Sequence, residues 1–100
     1  MNRKVSKEQY ETIKVLIETG NIKTFNQIFT VTGIKRTNFA DDIGMNYQTF
    51  MYRLKHPGSF SYKESFIIAY LIGISKEAVS RLIIAQSEDN SIQNPLQDKE

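Results

Sequence analysis

One stretch of the chain, residues 46–55, concentrates side chains that could form directional hydrogen bonds to a partner. The amide of Gln48 can donate one hydrogen bond and accept another, as a bidentate contact with an adenine edge requires. The side chains of Tyr47, Thr49 and Tyr52 can contact phosphates through their hydroxyl groups or pack against thymine methyl groups. Basic side chains lie before this stretch and at its end: Lys35, Arg36, Arg53, Lys55 and His56.

The chain offers little that could catalyse a reaction. Two adjacent carboxylates, Asp41 and Asp42, project about 100° apart on a helix, so they cannot both be aimed at one substrate atom. The single histidine, His56, precedes a proline and has no partner at a metal-ligand spacing, and the chain contains no cysteine. It also lacks a glycine-rich phosphate-binding loop. We therefore expect neither an enzyme nor a bound metal, cofactor or small-molecule ligand.

Two short predicted helices hold the polar and basic side chains in place. Between them, Gly44 can adopt a positive φ and end the first helix in a left-handed turn. Asn46 then follows as a candidate N-cap of the second helix. The apolar positions of the two helices follow helical spacing and are Phe39, Ala40 and Ile43, then Phe50, Met51 and Leu54. Two short helices with a tight turn between them make a helix-turn-helix.

Residues 36–55 resemble the helix-turn-helix of the phage Cro/repressor type, found in lambda-repressor-like DNA-binding domains. The match lies in a small residue four before the glycine, in apolar residues around the turn, and in an aromatic residue six after the glycine. The matching residues are Phe39, Ala40, Ile43, Gly44, Met45 and Phe50. Arg53 departs from the pattern, because the family usually has an apolar residue there.

The resemblance implies that the second helix enters the major groove, with its first residues nearest the base edges. Phe50 and Leu54 are then expected to point into the core, which leaves the opposite face of the helix to the partner. The predicted DNA-binding residues are Lys35, Arg36, Asn46, Tyr47, Gln48, Thr49, Met51, Tyr52, Arg53 and Lys55.

The charge distribution favours a polyanionic partner for this part of the chain. The net charge is only +2, but residues 1–63 contain ten Lys and Arg against five Asp and Glu, a net of +5. Residues 64–100 contain three against six, a net of −3. A basic excess beside the helix-turn-helix suits a DNA-facing surface, although chance scatter is an alternative in so short a chain. Asp41 and Asp42 would repel phosphate, so we expect them to face away from DNA or to pair with Arg53 or Lys35.

Capping signals predict that the rest of the chain is helical as well. Capping boxes at Ser6, Thr24 and Ser61 begin helices over residues 6–19, 24–32 and 61–72, and Ser75 begins a last helix over 75–86. A strand remains an alternative for residues 28–34 and 66–72 because of their β-branched and apolar content. The helix over 61–72 is apolar nearly all round and is expected to be buried on all sides. Residues 87–100 are polar and are predicted to form a mobile tail.

These elements predict an all-α fold, a compact bundle of five to six short helices that contains a helix-turn-helix. Residues 24–86 match the five-helix order of the lambda-repressor-like fold, and residues 6–19 add a leading helix that either packs on the domain or serves assembly. A chain of 100 residues supports one core, so residues 1–86 are predicted to be one domain. No secretory signal and no apolar run of bilayer length is evident, so we expect a cytoplasmic protein.

The expected function is that of a DNA-binding protein, a small repressor-type transcriptional regulator. The resemblance implies that it binds double-stranded DNA as a homodimer on paired half-sites. The candidate dimer surfaces are residues 6–19 and residues 75–86. The alternative is a protein–protein interaction module that keeps the scaffold without DNA readout. The aromatic face of the second helix and the acidic last third of the chain would fit that alternative.

Overall fold

The computed structural model describes residues 3–93, which contain six α-helices, one 3₁₀-helix and no β-strand. The α-helices are α1 (Lys7–Glu18), α2 (Gln27–Thr32), α3 (Arg36–Asp42), α4 (Tyr47–Lys55), α5 (Tyr62–Ile72) and α6 (Lys76–Gln93). The 3₁₀-helix spans Pro57–Ser59, at the break predicted after α4. The prediction of an all-α bundle is confirmed, and no strand forms over residues 28–34 or 66–72. Along the same described range, none of the helices has the length and apolar content needed to cross a bilayer.

Predicted capping interactions begin three of the helices. The hydroxyl of Ser6 accepts from the Gln9 N–H at 3.1 Å, and the Gln9 side chain accepts from the Ser6 N–H at 2.9 Å. Ser61 and Glu64 repeat this reciprocal pair at the start of α5. The Ser75 hydroxyl accepts an N–H of the first turn of α6. Each cap satisfies N–H groups that have no partner within the helix itself.

The helix α2 is shorter than the predicted span of residues 24–32. Thr24 and Gln27 do contact each other, but they close the turn that precedes the helix. The Gln27 side-chain oxygen accepts from the N–H groups of Lys23 at 2.6 Å and Thr24 at 3.1 Å. Asn26 occupies the N-cap position and makes no side-chain capping bond. The helix therefore begins only at Gln27.

Aromatic side chains from three parts of the chain form the centre of the core. Phe25, Phe39 and Phe50 have no exposed surface, and Phe29 is also buried. The Phe29 ring lies nearly perpendicular to the rings of Phe39 and Phe50, at centroid distances of 5.4 and 5.7 Å. Edge-to-face packing of this kind is favourable beyond the area that it buries. It fixes α3 and α4 to the segment that contains α2.

The leading helix packs on the domain, which is one of the two roles left open by the sequence. Val5, Tyr10 and Ile13 are buried in the common core. The Asp42 carboxylate, at the end of α3, accepts from the Lys4 N–H at 2.7 Å, the Val5 N–H at 3.0 Å and the Tyr10 hydroxyl at 2.6 Å. Burial, together with the hydrogen bond to Asp42 and its negative charge, raises the pKa of Tyr10 above its usual value.

Of the two alternatives expected for the adjacent carboxylates, pairing with Arg53 or Lys35 is not found. Asp42 binds the segment that precedes α1, and Asp41 lies 3.9 Å from the ammonium group of Lys4 in an exposed ion pair. The physical reason is proximity, because the start of the chain folds against the C-terminal end of α3 and supplies the nearer donors.

The prediction that α5 is buried on all sides is wrong. One side faces the core, but the opposite side is open to solvent. The exposed fractions there are 72% for Tyr62, 52% for Phe66 and 73% for Tyr70. Composition alone could not show this, because exposed aromatic side chains raise the apolar content of a helix as much as buried ones do.

The last helix continues seven residues beyond its predicted end at residue 86. Buried Gln86 accepts from the Asn26 N–H at 2.7 Å, and the Asn90 amide donates to the carbonyl oxygens of the last two residues of α4, at 3.0 and 3.3 Å. Polar side chains therefore hold these two turns against the domain. Residues 87–93 of the predicted mobile tail are therefore helical, and residues 94–100 lie outside the described residues.

Candidate nucleic-acid interface

The turn between α3 and α4 is closed by two backbone hydrogen bonds. The Gly44 N–H donates to the Asp41 carbonyl at 3.1 Å, and the Met45 N–H donates to the Ala40 carbonyl at 2.9 Å. Gly44 has a φ of 75°, in the left-handed region that favours glycine. This pair of bonds is the Schellman arrangement, which ends a helix and sets the direction of the following chain. Ala40 is fully buried, and its small side chain allows the two helices to approach closely.

Capping and core contacts fix the rotation of α4. The side-chain oxygen of Asn46 accepts from the Thr49 N–H at 2.8 Å, which confirms Asn46 as the N-cap. Phe50 and Leu54 are buried, as predicted. The helix therefore cannot turn about its axis without exposing these two side chains, and the face opposite them is held outward.

Four side chains make up that outward face, which we call the α4 outer face: Tyr47, Gln48, Tyr52 and Lys55. Tyr47 and Tyr52 are 45% and 54% exposed, and Gln48 and Lys55 are exposed as well. The Tyr52 ring lies against the His56 ring, at a centroid distance of 4.6 Å. The face therefore combines an amide, two phenol rings and a cation on one rigid helix.

Two of the predicted DNA-binding residues lie at the edges of this face and are half-buried. Met51 packs against the core cluster on the side of α6, so it is less available than the sequence suggested. Thr49 lines a cleft between the turn and the start of α5. Lys35 is exposed at the N-cap position of α3.

The guanidinium group of Arg36, at the start of α3, contacts other side chains of the protein. It donates to the Asn26 side-chain oxygen at 2.5 Å and lies over the Phe29 ring, 5.0 Å from the centroid. The hydrogen bond to Asn26 occupies one donor of Arg36, and the DNA contact expected of this residue stays a prediction. Through that bond, Arg36 joins α3 to the segment before α2.

Arg53 is likewise committed within the protein. Its Nε and Nη2 atoms donate to the two carboxylate oxygens of Glu64, at 3.1 and 3.2 Å, and both side chains are less than a quarter exposed. The bidentate pair fastens α4 to α5. The DNA contact expected of Arg53 stays a prediction. Arg53, one member of this pair, stands at the position where lambda-repressor-like domains usually have an apolar residue.

Glu64 thus serves two elements at once. Its carboxylate binds Arg53 and also accepts from the Ser61 N–H at 2.9 Å. Burial opposes its ionisation, but the hydrogen bonds from Arg53 and Ser61 and the positive charge of Arg53 outweigh burial and lower the pKa of Glu64. The capping box at Ser61 implied a role for Glu64 in the cap alone, and no pattern in the sequence pointed to Asn26. The one available signal was the charged Arg53 at a normally apolar position, since a half-buried guanidinium needs an acceptor.

Comparisons of the chain with protein-family models, with curated proteins and with solved structures found no match in any of the three. Within residues 3–93, no group of three or more carboxylate or imidazole side chains is placed to hold a metal ion. The geometry of α3, the turn and α4 is therefore the basis on which a function can be proposed.

Proposed function

We propose that this protein binds double-stranded DNA by placing the α4 outer face in the major groove, as a small repressor-type transcriptional regulator. The observation that carries the proposal is that α4 follows a tight glycine turn, is capped at Asn46 and is held with four polar or aromatic side chains outward. A major groove about 12 Å wide admits a helix presented in this way, with its first residues nearest the bases.

Each side chain of the α4 outer face has a role in this proposal. Gln48 lies in the first turn and can form the bidentate contact with adenine. Tyr47 and Tyr52 flank it and can bind phosphates through their hydroxyl groups or pack against thymine methyl groups. Lys55 at one end and Lys35 at the start of α3 neutralise phosphates. Arg36 and Arg53 act indirectly, because they hold α3 and α4 in position.

The proposal is tested by fluorescence anisotropy of a labelled mixed-sequence duplex, titrated with the protein over a series of salt concentrations. We expect affinity in the micromolar range or tighter at low salt, and a steep linear fall of log K with log salt concentration, because bound phosphates release counterions. Replacing Lys35 and Lys55 with glutamine should lower that slope by about one unit for each lysine.

The matched control is Lys14→Gln. Lys14 lies on α1 with its side chain near Gly73, at the end of α5, and we expect no change in the slope. Failure to bind at low salt would overturn the proposal and favour the protein-interaction module instead. Affinity that does not depend on salt would also overturn the proposal and favour the interaction module, since an apolar interface releases few counterions.

A further inference from the structure

A row of exposed aromatic side chains lies along α5, on a different helix from the α4 outer face. Tyr62, Phe66 and Tyr70 are each at least half exposed and follow one another at intervals of four residues. Residues four apart are neighbours on a helix, and eight residues span about 12 Å of its axis. The three rings therefore form one continuous strip, which we call the α5 aromatic row. Scattered apolar residues are normal on a protein surface, whereas a contiguous strip marks an interaction surface.

Other exposed aliphatic side chains do not form such a strip. Val15 on α1 is 55% exposed and Ile84 on α6 is 59% exposed. Neither has another exposed large apolar residue three or four positions away on its helix. These two helices contain the dimer surfaces that the sequence suggested, and each offers only an isolated contact there.

The order of side chains in the row suits a second copy of the same chain. The order of residue types along the row, Tyr-Phe-Tyr, is the same from either end, with Phe66 at the centre. In a two-fold dimer one surface meets itself, so that two α5 helices packed antiparallel place Phe66 against Phe66 of the second copy. Tyr62 then meets Tyr70 of the second copy at both ends. The strip is therefore self-complementary in this arrangement.

The exposed area of the row is consistent with a weak dimer. At about 200 Å² for a fully exposed aromatic side chain, the three rings offer roughly 400 Å² in each copy. Two copies would then bury about 800 Å² of aromatic surface before any contact at the rim is added. Stable interfaces bury about 1,600 Å² in total, and transient ones lie below about 1,200 Å². The row alone therefore lies in the range of transient interfaces, as a weak dimer requires.

The charges around the row also fit an interface. The row itself contains no charged residue, as the centres of interfaces generally do not. Lys76 stands at one end, where its ammonium group donates to the Tyr62 hydroxyl at 2.6 Å and lies 5.7 Å from the Phe66 ring centroid. In the antiparallel pair this cation comes beside Tyr70 of the second copy, where it adds a cation–π contact.

We propose that the α5 aromatic row is the homodimer surface of this protein, with the two-fold axis at Phe66. The role of such a dimer rests on the proposed function, because a protein that binds paired DNA half-sites needs two-fold symmetry. Its tests use no DNA, so a failure of DNA binding and a failure of dimerisation are distinguishable.

The first test is cysteine cross-linking, which this chain suits because it contains no cysteine. The variants Phe66→Cys, Val15→Cys and Ile84→Cys replace side chains of similar exposure, 52%, 55% and 59%. On incubation with a disulfide reagent, Phe66→Cys should form covalent dimers at least about tenfold faster than the other two, because its thiol lies on the axis opposite its own copy. Equal rates, or faster dimerisation of either control, would overturn the proposal.

The second test is sedimentation equilibrium over a concentration series. The weight-average mass of the wild-type protein should rise from the 11.6 kDa of one chain towards twice that value. Phe66→Lys should keep the mass of one chain throughout, because it places two like charges on the axis. Ile84→Lys should behave as the wild type does, and circular dichroism should show that both variants are folded. A wild-type protein that stays monomeric at every concentration, or a Phe66→Lys variant that still dimerises, would reject the surface.

Discussion

Gln48 occupies the second position of α4 and is exposed between the two tyrosines of the outer face. We expect Gln48→Ala to weaken binding to the preferred duplex by roughly 1–3 kcal/mol, because the variant cannot form the proposed bidentate contact with adenine. Binding to unrelated duplexes should change little, since phosphate contacts remain. Anisotropy titrations on a selected duplex, and on the same duplex with single A·T pairs replaced, measure the difference. An equal loss on every duplex would show that Gln48 does not contact a base specifically.

Tyr10 gives the protein a stability limit at high pH. Its folded-state pKa is raised above the unfolded value of about 10, so its contribution is complete below pH 10 and is lost as the pH rises further. We expect the free energy of unfolding to fall above pH 10, by at most about 1.4 kcal/mol per pH unit from this group. Tyr10→Phe should be less stable at neutral pH, because it lacks the hydrogen bond to Asp42.

Urea unfolding of both proteins at several pH values separates Tyr10 from the other groups that titrate in that range. The stability difference between the wild type and Tyr10→Phe should shrink between pH 10 and pH 12. A difference that stays constant over this interval would contradict the assignment.

The distance along the chain between interacting side chains decides what could be predicted from the sequence. The caps at Ser6, Asn46 and Ser61 were predictable, because each partner lies three residues away. The acceptors for Arg36 and Arg53 lie ten and eleven residues away, on other elements, and were not. A basic residue in a sequence shows its charge but not whether that charge is already paired within the fold.

At the level of the elements, the turn after α3 determines how α4 is presented. Gly44→Ala should lower the free energy of unfolding by about 1–2 kcal/mol, because a residue with a Cβ is strained at a φ of 75°. The added methyl group itself meets no atom within 4 Å, so the cost is conformational. Gly58→Ala is the matched control, since it is equally unobstructed and has no positive φ. Chemical denaturation of the two variants measures the difference, and equal stabilities would contradict the role given to the turn.

Two elements were predicted less well, for different physical reasons. In α5 the strip of aromatic side chains led to an expectation of complete burial. The sequence does not show which face of an apolar helix packs against another element. In α6 the polar residues after Gln86 suggested an irregular segment, although Asn90 finds its acceptors at the end of α4. A helix can continue through polar residues where the fold supplies hydrogen-bond partners for them. The spacing of apolar residues in the sequence does not show where such partners lie.

Across the whole molecule, the two helices of the helix-turn-helix are each braced at their C-terminal ends by distant parts of the chain. Asp42 at the end of α3 binds the segment before α1, and Asn90 of α6 binds the last carbonyls of α4. We expect Asn90→Ala to destabilise the protein by about 1 kcal/mol, because those carbonyls lose a donor. Ser87→Ala, an exposed change on the same helix, should have little effect. Urea unfolding tests both, and equal stability of the two variants would contradict the bracing role of Asn90.

The same bracing has a consequence for the order of folding events. The bond between Asn26 and Gln86 joins residues 60 positions apart, whereas the contacts within α3, the turn and α4 are local. Closing so long a loop costs entropy, so this bond is expected to form after the rate-limiting step. Substitutions at Gln86 or Asn90 should then accelerate unfolding and leave the folding rate nearly unchanged. In hydrogen exchange, the amides of the last two turns of α6 should open before those of α4, so that α4 would outlast the segment that supports it.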